Sequence, residues 1–388
     1  MNQKLLLLIS VNYMSTYLAY SIFPPYLPKL AKDDKGVDQQ TVGLILSLWY
    51  IGYSIFAILM GHILIYTGRK NAILFGLLLL CFDFLLAALA GSIENKFWFV
   101  IAYWVVRFIH GSAQAFVQVT TYSIIATWFK DSIAKVVGIV EFSWGSGIAL
   151  GPLIAEVLYN TGGFNLPLYV FSFVMLLLGV ITFVFMDKSV EGPDQSLRTL
   201  QVSDDNSISI NETQSESEVK EKISIFKLLK YKLFVFGLLG AFFNLILYAL
   251  LEPILSNRLT RLGVEEKSLG QYFWIQPFIY SLVSVFVDSL ILTRISKRAC
   301  LIIGFMIFSL GFIITGPSVF LFFLDPSLPL ICFGLFLLGI GWALSFVPIF
   351  PEMIESVYFD FEDNIEDLNN TVASLMNASY GSAALGQL

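Results

Sequence analysis

The chain has 388 residues, 57% hydrophobic and 13% charged, whereas an ordinary soluble domain is about 25% charged. Together with repeated apolar runs, this balance describes an integral membrane protein, and a net charge of −6 argues against a nucleic-acid partner. Cys81, Cys300 and Cys332 are too scattered for a disulfide framework or a metal spacing, and the 2 histidines stand too far apart for a zinc site, so neither metal nor cofactor is implied.

In chain order, residues 5–23, 42–65, 72–90, 97–127, 136–159 and 166–186 read as six spans. Each is long enough for about 30 Å of hydrocarbon at ~1.5 Å per residue. The first is too long for a signal-peptide core and no small-residue cleavage site follows it. Residues 188–224 are polar and rich in Ser, Asp and Glu, and read as a solvated linker. A short amphipathic approach at 226–231 leads to further spans at 233–255, 269–292, 300–320 and 328–349. An acidic loop from Glu352 to Asp367 follows, and an eleventh span starts near Thr371. The expected organisation is a six-helix bundle at 1–187, a cytoplasmic polar linker at 188–231 and an incomplete second bundle at 232–388. The second bundle would lack its last one and a half helices, a truncation within its fifth helix. With the N-terminus inside, basic residues divide 15 to 7 in favour of the cytoplasmic side, Arg107 being left out as intramembrane. The sequon at Asn211 would then never meet the lumen.

Carboxylates inside apolar spans cost about 2.5–3.5 kcal/mol on insertion scales, so they mark function or a partner. Glu141 is the deepest such acid, in a fifth span that also carries Gly145, Gly147, Gly151 and Pro152. It reads either as a proton-carrying acid or as half of a structural pair with Arg107. In the fourth span Arg107, His110, Gly111, Gln114, Gln118, Thr121 and Tyr122 share one face, as befits a watery cavity or the bundle interior. In the seventh, Asn244, Tyr248, Glu252 and Ser256 recur every four residues, and Pro253 is expected to break the helix. Glu252 reads equally as a site acid or a hydrated end residue. Asp83 and Asp288 rank below Glu141, and Glu156 falls at the far surface. Tyr13, Tyr17, Tyr20, Tyr248 and Trp342 are aromatic residues able to hold a cation against a ring face. No nucleophile–base pair or phosphate loop is present, so no enzyme is expected.

Three stretches carry a family resemblance. GHILIYTGRK resembles the loop motif of the major facilitator superfamily at Gly61, Gly68, Arg69 and Lys70, with Ile65 in the usual Asp position. Arg107 followed by Gly111 resembles its fourth-helix motif, and Gly147-x-x-x-Gly151-Pro152 its antiporter motif. Over most of the chain, VVGIVEFSWGSGIALGPLIAEVLYNTGG, LLEPILSNRL and FVPIFPEMIE are similar to the vesicular polyamine transporter branch of solute carrier family 18. The resemblance implies an all-α membrane protein of two six-helix bundles, working by alternating access. It implies proton-coupled antiport of an organic cation, polyamine or monoamine, by a monomer in a vesicle or vacuole membrane. It places the branch's acids at Glu141 and Glu252. The alternatives are a facilitator or exporter of a neutral or anionic solute anchored by Arg107, and a degenerate carrier acting as a membrane subunit or receptor.

Overall fold

The structure is a computed structural model describing residues 2–191, 223–264, 270–316 and 327–383. The long helices are α1 Asn2–Tyr20, α2 Gln39–Thr67, α3 Arg69–Gly91, α4 Lys96–Trp128, α5 Ile133–Gly162 and α6 Asn165–Phe185. They continue as α7 Lys232–Arg261, α8 Ile275–Phe286, α9 Lys297–Thr315, α10 Leu328–Phe346 and α11 Ile365–Ala383. Eight helical stretches are long and apolar enough to cross a membrane among the described residues. Local chemistry sets several ends. Asp38 caps α2 by accepting the Thr41 N–H at 3.0 Å, and Asn95 caps α4 through the N–H groups of Phe97 and Trp98. Gly68 breaks the chain sharply between α2 and α3 at φ +76, where a side chain would be strained.

The packing repeats with a period of six helices. The contacts α1 with α5, α2 with α4 and α3 with α4 recur as α7 with α11, α8 with α10 and α9 with α10. Across the middle, α2 lies on α11 and α5 lies on α8, again a matched pair. In the first half α6 packs on α3 and touches α1. In the corresponding place of the second half an apolar groove of about 1130 Å³ runs along α7 and α9, lined by Phe236, Leu301, Phe305 and Met306 among others.

Several boundaries differ from expectation. The seven-acid stretch is not a loop. Glu352 and Glu355 belong to a short helix, Ile349–Glu355, and face Arg298 and Lys297 of α9. Glu366 and Asp367 form the first turn of α11, which begins six residues before Thr371, and acids there suit the positive end of a helix. The spacer is not wholly solvated either. Val190 and Ile223 are buried, at the close of the turn Lys188–Glu191 and just ahead of the turn Ile225–Leu228. Asn211 lies outside the described residues. Helix α7 runs on through position 253, where a break was expected.

Glycine lets the helices approach closely at the crossing of α2 and α4. A Cβ on Gly111 would stand 1.9 Å from the Trp49 carbonyl oxygen, which is backbone and cannot rotate aside. Gly111→Ala should therefore destabilise the purified protein by about 1–3 kcal/mol, the usual cost of overpacking. A thermal-unfolding comparison in detergent checks this, and an unchanged melting temperature would contradict the packing.

Candidate functional site

Helix α5 is the hub. Gly147 and Gly151 turn to α1, where a Cβ would meet the Met14 carbonyl at 2.4 Å and the Ser21 Oγ at 1.7 Å. Gly138 and Gly145 turn to α8, against the Ser284 carbonyl at 2.3 Å and the Ser281 Oγ at 2.0 Å. Small residues on both sides bring three backbones together. The Ser284 hydroxyl seals the second contact by donating to the Gly138 carbonyl at 3.0 Å.

This clamp holds Glu141, whose residue is 3% exposed. Tyr122 of α4 donates its hydroxyl to Oε1 at 2.6 Å, and Tyr280 of α8 donates to Oε2 at 2.6 Å. One phenol comes from each half of the molecule. Tyr13 faces the same carboxylate without a well-formed hydrogen bond. No ion pair reaches Glu141 among the described residues. Trp144, one turn further along α5, begins an aromatic cluster. Its ring lies 5.2 Å from Trp342, 5.3 Å from Tyr280, 5.7 Å from Tyr17 and 6.4 Å from Tyr248, centroid to centroid. Trp342 in turn lies 4.6 Å from Tyr248 and 4.7 Å from Tyr280. A lone carboxylate beside ring faces is the chemistry that holds an organic ammonium. It is equally a place to hold a proton.

The other expected site residues are dispersed. Tyr17, Tyr248 and Trp342 join the aromatic cluster, and Gln118 accepts a hydrogen bond from the Tyr17 hydroxyl. Gln114 donates to Thr16 at 3.4 Å and is buried. Asn244 is committed to structure: Ser345 of α10 donates to its Oδ1 at 2.7 Å. Asp288 sits half-buried in a π-helical extension of α8, Val287–Leu292, and Glu156 is exposed. The Glu252 side chain lies outside the described residues.

Of the two readings of Glu141, the pair with Arg107 is not formed among the described residues. Arg107 is fifteen residues from Tyr122, about 22 Å along α4 at ~1.5 Å per residue. Its guanidinium lies over the rings of Phe23 and Tyr20, at 4.8 and 5.5 Å, within electrostatic range of the Asp83 carboxylate but not in an ion pair with it. His110 is there too, its Nδ1 2.8 Å from the Asp83 Oδ2. The fourth-helix stripe thus serves two separate clusters, with Asp83 in the one away from Glu141.

At the Gly68 face, Arg69 is buried and ties both halves together. It donates to Ser123 at 2.8 Å and Thr127 at 3.1 Å on α4, to the Glu191 carbonyl at 2.9 Å, and to Asn370 of α11 at 3.3 Å. It pairs with Glu366 of α11 at 3.1 Å. The Glu191 carboxylate accepts the N–H groups of Arg69 and Lys70, at the N-terminus of α3. Gly61 faces Ser374 of α11, whose hydroxyl donates to the Ala57 carbonyl at 2.7 Å. The Lys70 ammonium instead reaches the Phe183 carbonyl of α6 at 2.8 Å. Near the start of α11, Asp367 accepts the Ile223 N–H at 2.7 Å, so both ends of the spacer dock at this closed face. Two carboxylates distant in sequence, Glu191 and Glu366, thus meet Arg69 in a loop that carries Ile65 where an acid is usual.

Sequence reasoning missed Trp144, Glu191, Glu366 and Asn370. Trp144 carried a usable signal, since it lies three residues from Glu141 and so on the same helix face. The other three act across more than a hundred residues of chain, and no local spacing reports them.

The family model described as Major Facilitator Superfamily matches residues 6–386. The chain is similar to the MFS-type transporter SLC18B1 of Mus musculus, 24% identical over 391 residues, covering 98% of this chain and 78% of the relative. The Homo sapiens protein of that name is 23% identical over 380 residues, with 97% and 76% covered. Among solved structures, the human organic anion transporter MFSD10 (TETRAN) aligns with a TM-score of 0.67 at 15% identity, covering 99% of this chain and 93% of that one. The proton:xylose symporter XylE aligns with a TM-score of 0.72 at 12% identity, covering 98% and 86%. At such identities the structures establish the fold.

Two measurements check this geometry. Tyr280→Phe removes one donor from a buried carboxylate and should cost about 1.5–3 kcal/mol, read as a lowered melting temperature. Burial raises the Glu191 carboxyl above its ordinary range, although the Arg69 and Lys70 amides pull it down. The folded chain therefore holds that proton more tightly than the unfolded one. Its contribution is full below the ordinary carboxylate range and is lost as pH rises through the raised value. Glu191→Gln should flatten the decline of melting temperature across that window, and an unaltered pH profile would contradict this.

Proposed function

The chain belongs to the major facilitator superfamily, a family of transporters rather than enzymes, and on that premise we propose that it exchanges protons for an organic cation by alternating access. The observation that carries this reading is Glu141, a buried acid with no cationic partner among the described residues, held by phenols from both halves beside the cluster of Trp144, Tyr248, Tyr280 and Trp342. Burial disfavours the bare carboxylate, so the site is satisfied by either a proton or a cation, and not by both. Mutual exclusion at one acid gives exchange. Rocking of the halves would part Tyr122 from Tyr280 and expose Glu141 to one side at a time.

The Gly68 face is the cytoplasmic one on the distribution of basic residues, and the Asn95 face is then lumenal, as in a vesicle or vacuole membrane. Similarity to the SLC18B1 transporters supports small-molecule transport. A polyamine or monoamine substrate rests on the ring-lined acid and on the resemblance of residues 136–163. Anchoring of an anion by Arg107 is less well supported, because Asp83 stands beside that guanidinium and the rings of Phe23 and Tyr20 cover it.

The test is uptake of labelled spermidine and of a labelled aromatic monoamine into proteoliposomes with an imposed acidic lumen. Gradient-dependent uptake of at least one is expected, falling at least tenfold in Glu141→Gln. Trp342→Ala should weaken apparent affinity severalfold while leaving uptake gradient-dependent. Full gradient-driven uptake in Glu141→Gln would remove this acid from the coupling path. No uptake of either amine by folded protein would sink the organic-cation assignment.

A further inference from the structure

A second set of ionisable groups lies apart from Glu141. Asp83 of α3 and Arg107 and His110 of α4 are each at most 1% exposed. The His110 Nδ1 and the Asp83 Oδ2 are 2.8 Å apart. Phe23 and Phe84 stand edge-on to the imidazole at 5.3 and 5.4 Å, and Tyr20 lies 6.4 Å away. Phe23 opens the short helix Phe23–Lys29 that follows α1, and Arg107 is stacked over it. From His110 to Tyr122 is twelve residues, about 18 Å along α4 at ~1.5 Å per residue, so this cluster belongs to the Asn95 half of the membrane.

Among the described residues, four polar atoms in it have no hydrogen-bond partner: Asp83 Oδ1, His110 Nε2, and Arg107 Nε and Nη1. Buried donors and acceptors left unmade cost about 1–3 kcal/mol each, and a single structural bond would not need to strand four of them. They suit a site that exchanges with water or with protons during the working cycle. The charges give the direction. Arg107 is positive at any relevant pH, and Asp83 balances it when His110 is neutral. A neutral His110 donating Nδ1–H to Asp83 presents a bare lone pair at Nε2. The other titratable groups facing the cluster are phenols, neutral at physiological pH: Tyr103 on α4, Tyr20 on α1 and Tyr50 on α2. Glu141 on α5 lies with Tyr122, toward the other end of α4, and the buried phenols Tyr53 on α2 and Tyr380 on α11 are neutral as well.

We infer that Asp83 and His110 form a second proton-binding site, separate from Glu141, which takes up a proton when the Phe23 lid admits water from the Asn95 face. The proton passes from hydronium to the His110 Nε2, releasing water, and no other bond changes. The imidazolium keeps its Nδ1–H bond to Asp83, now between opposite charges and therefore stronger. In the closed, dry cluster a second positive charge beside Arg107 is unfavourable. Hydration on opening relieves it, so acid on that side draws the carrier towards the open state. The lid is joined to the main site through α1, whose residues Met14, Tyr17 and Leu18 lie against Gly147 and Gly151 of α5.

The sequence permits a direct test, because it has 2 histidines and His62 is exposed on α2. In a His62→Gln background, ¹⁵N-histidine nuclear magnetic resonance in lipid bilayers reports His110 alone. At about pH 7.5 one bare and one protonated ring nitrogen are expected, and at about pH 5 two protonated nitrogens in most molecules. Asp83→Asn should reduce the doubly protonated fraction at the acid pH at least threefold. Phe23→Ala should increase it at the neutral pH. Glu141→Gln should leave both spectra unchanged, so this test does not depend on the proposed transport reaction. A bare Nε2 persisting at the acid pH, or an unchanged fraction in Asp83→Asn, would overturn the assignment. So would loss of the pH response in Glu141→Gln, which would make the two sites one. Should Asp83→Asn fail to fold, the His62→Gln and Phe23→Ala spectra still decide the matter.

Discussion

The contact on which the middle of this molecule depends is a carboxylate shared between phenols from its two halves. Tyr122 and Tyr280 each reach one oxygen of Glu141 at 2.6 Å. For both to do so, α5 must lie almost backbone-to-backbone on α8 while still gripping α1. That requirement explains a helix with glycine on two faces, Gly138 and Gly145 towards α8, Gly147 and Gly151 towards α1. A larger side chain at any of these four positions would push the helices apart. The phenol bonds, good over a few tenths of an ångström, would lengthen and weaken.

A contact so placed needs support at its ends, and the Gly68 face supplies it. Arg69 draws on α4, the Glu191 turn and α11 at once: its guanidinium meets neutral oxygens and the Glu366 carboxylate, and its backbone N–H goes to the Glu191 carboxylate. A buried guanidinium with this many acceptors is costly to free, because breaking part of the set strands the rest. The network is therefore close to all-or-none, which is how a small set of side chains holds one face of the molecule together. The spacer between the halves takes part through Glu191 on one side and Ile223 on the other. Its ends are thus built into the closure, not merely strung beneath it.

The amino-acid sequence made the architecture legible because apolar runs and their basic loops are one-dimensional signals. Glu141 was legible for the same reason, a lone charge in an apolar helix. Its partner was not. The choice between Arg107 and a phenol depends on where along α4 the two helices cross, and a shared face says nothing of height. Both Arg107 and Tyr122 sit on the polar stripe, yet about 22 Å of helix separates them. The start of α11 was misread because acids were counted as solvated when their partners were out of view. Arg298, Lys297 and Arg69 lie fifty to three hundred residues from Glu352, Glu355 and Glu366, so pairing could not be inferred locally. The antiporter-like glycines were recognised, but their faces were not, since helical phase needs a neighbour to be defined against.

The choice of phenols over a cation at Glu141 has a chemical consequence of its own. A guanidinium only donates, so an arginine partner would bind the carboxylate strongly and lose its opposite charge once the acid was protonated. A phenol donates to a carboxylate and accepts from a carboxylic acid with the same oxygen. Tyr122 and Tyr280 can therefore remain bonded to Glu141 in either protonation state by turning an O–H. Neither state leaves a phenol hydroxyl without a partner. Arg107, kept at the far end of the stripe with Asp83 beside it, does not disturb that balance. On the proposed reading, placing the fixed positive charge away from the exchanging acid keeps the two states of Glu141 close enough in energy for proton and cation to compete.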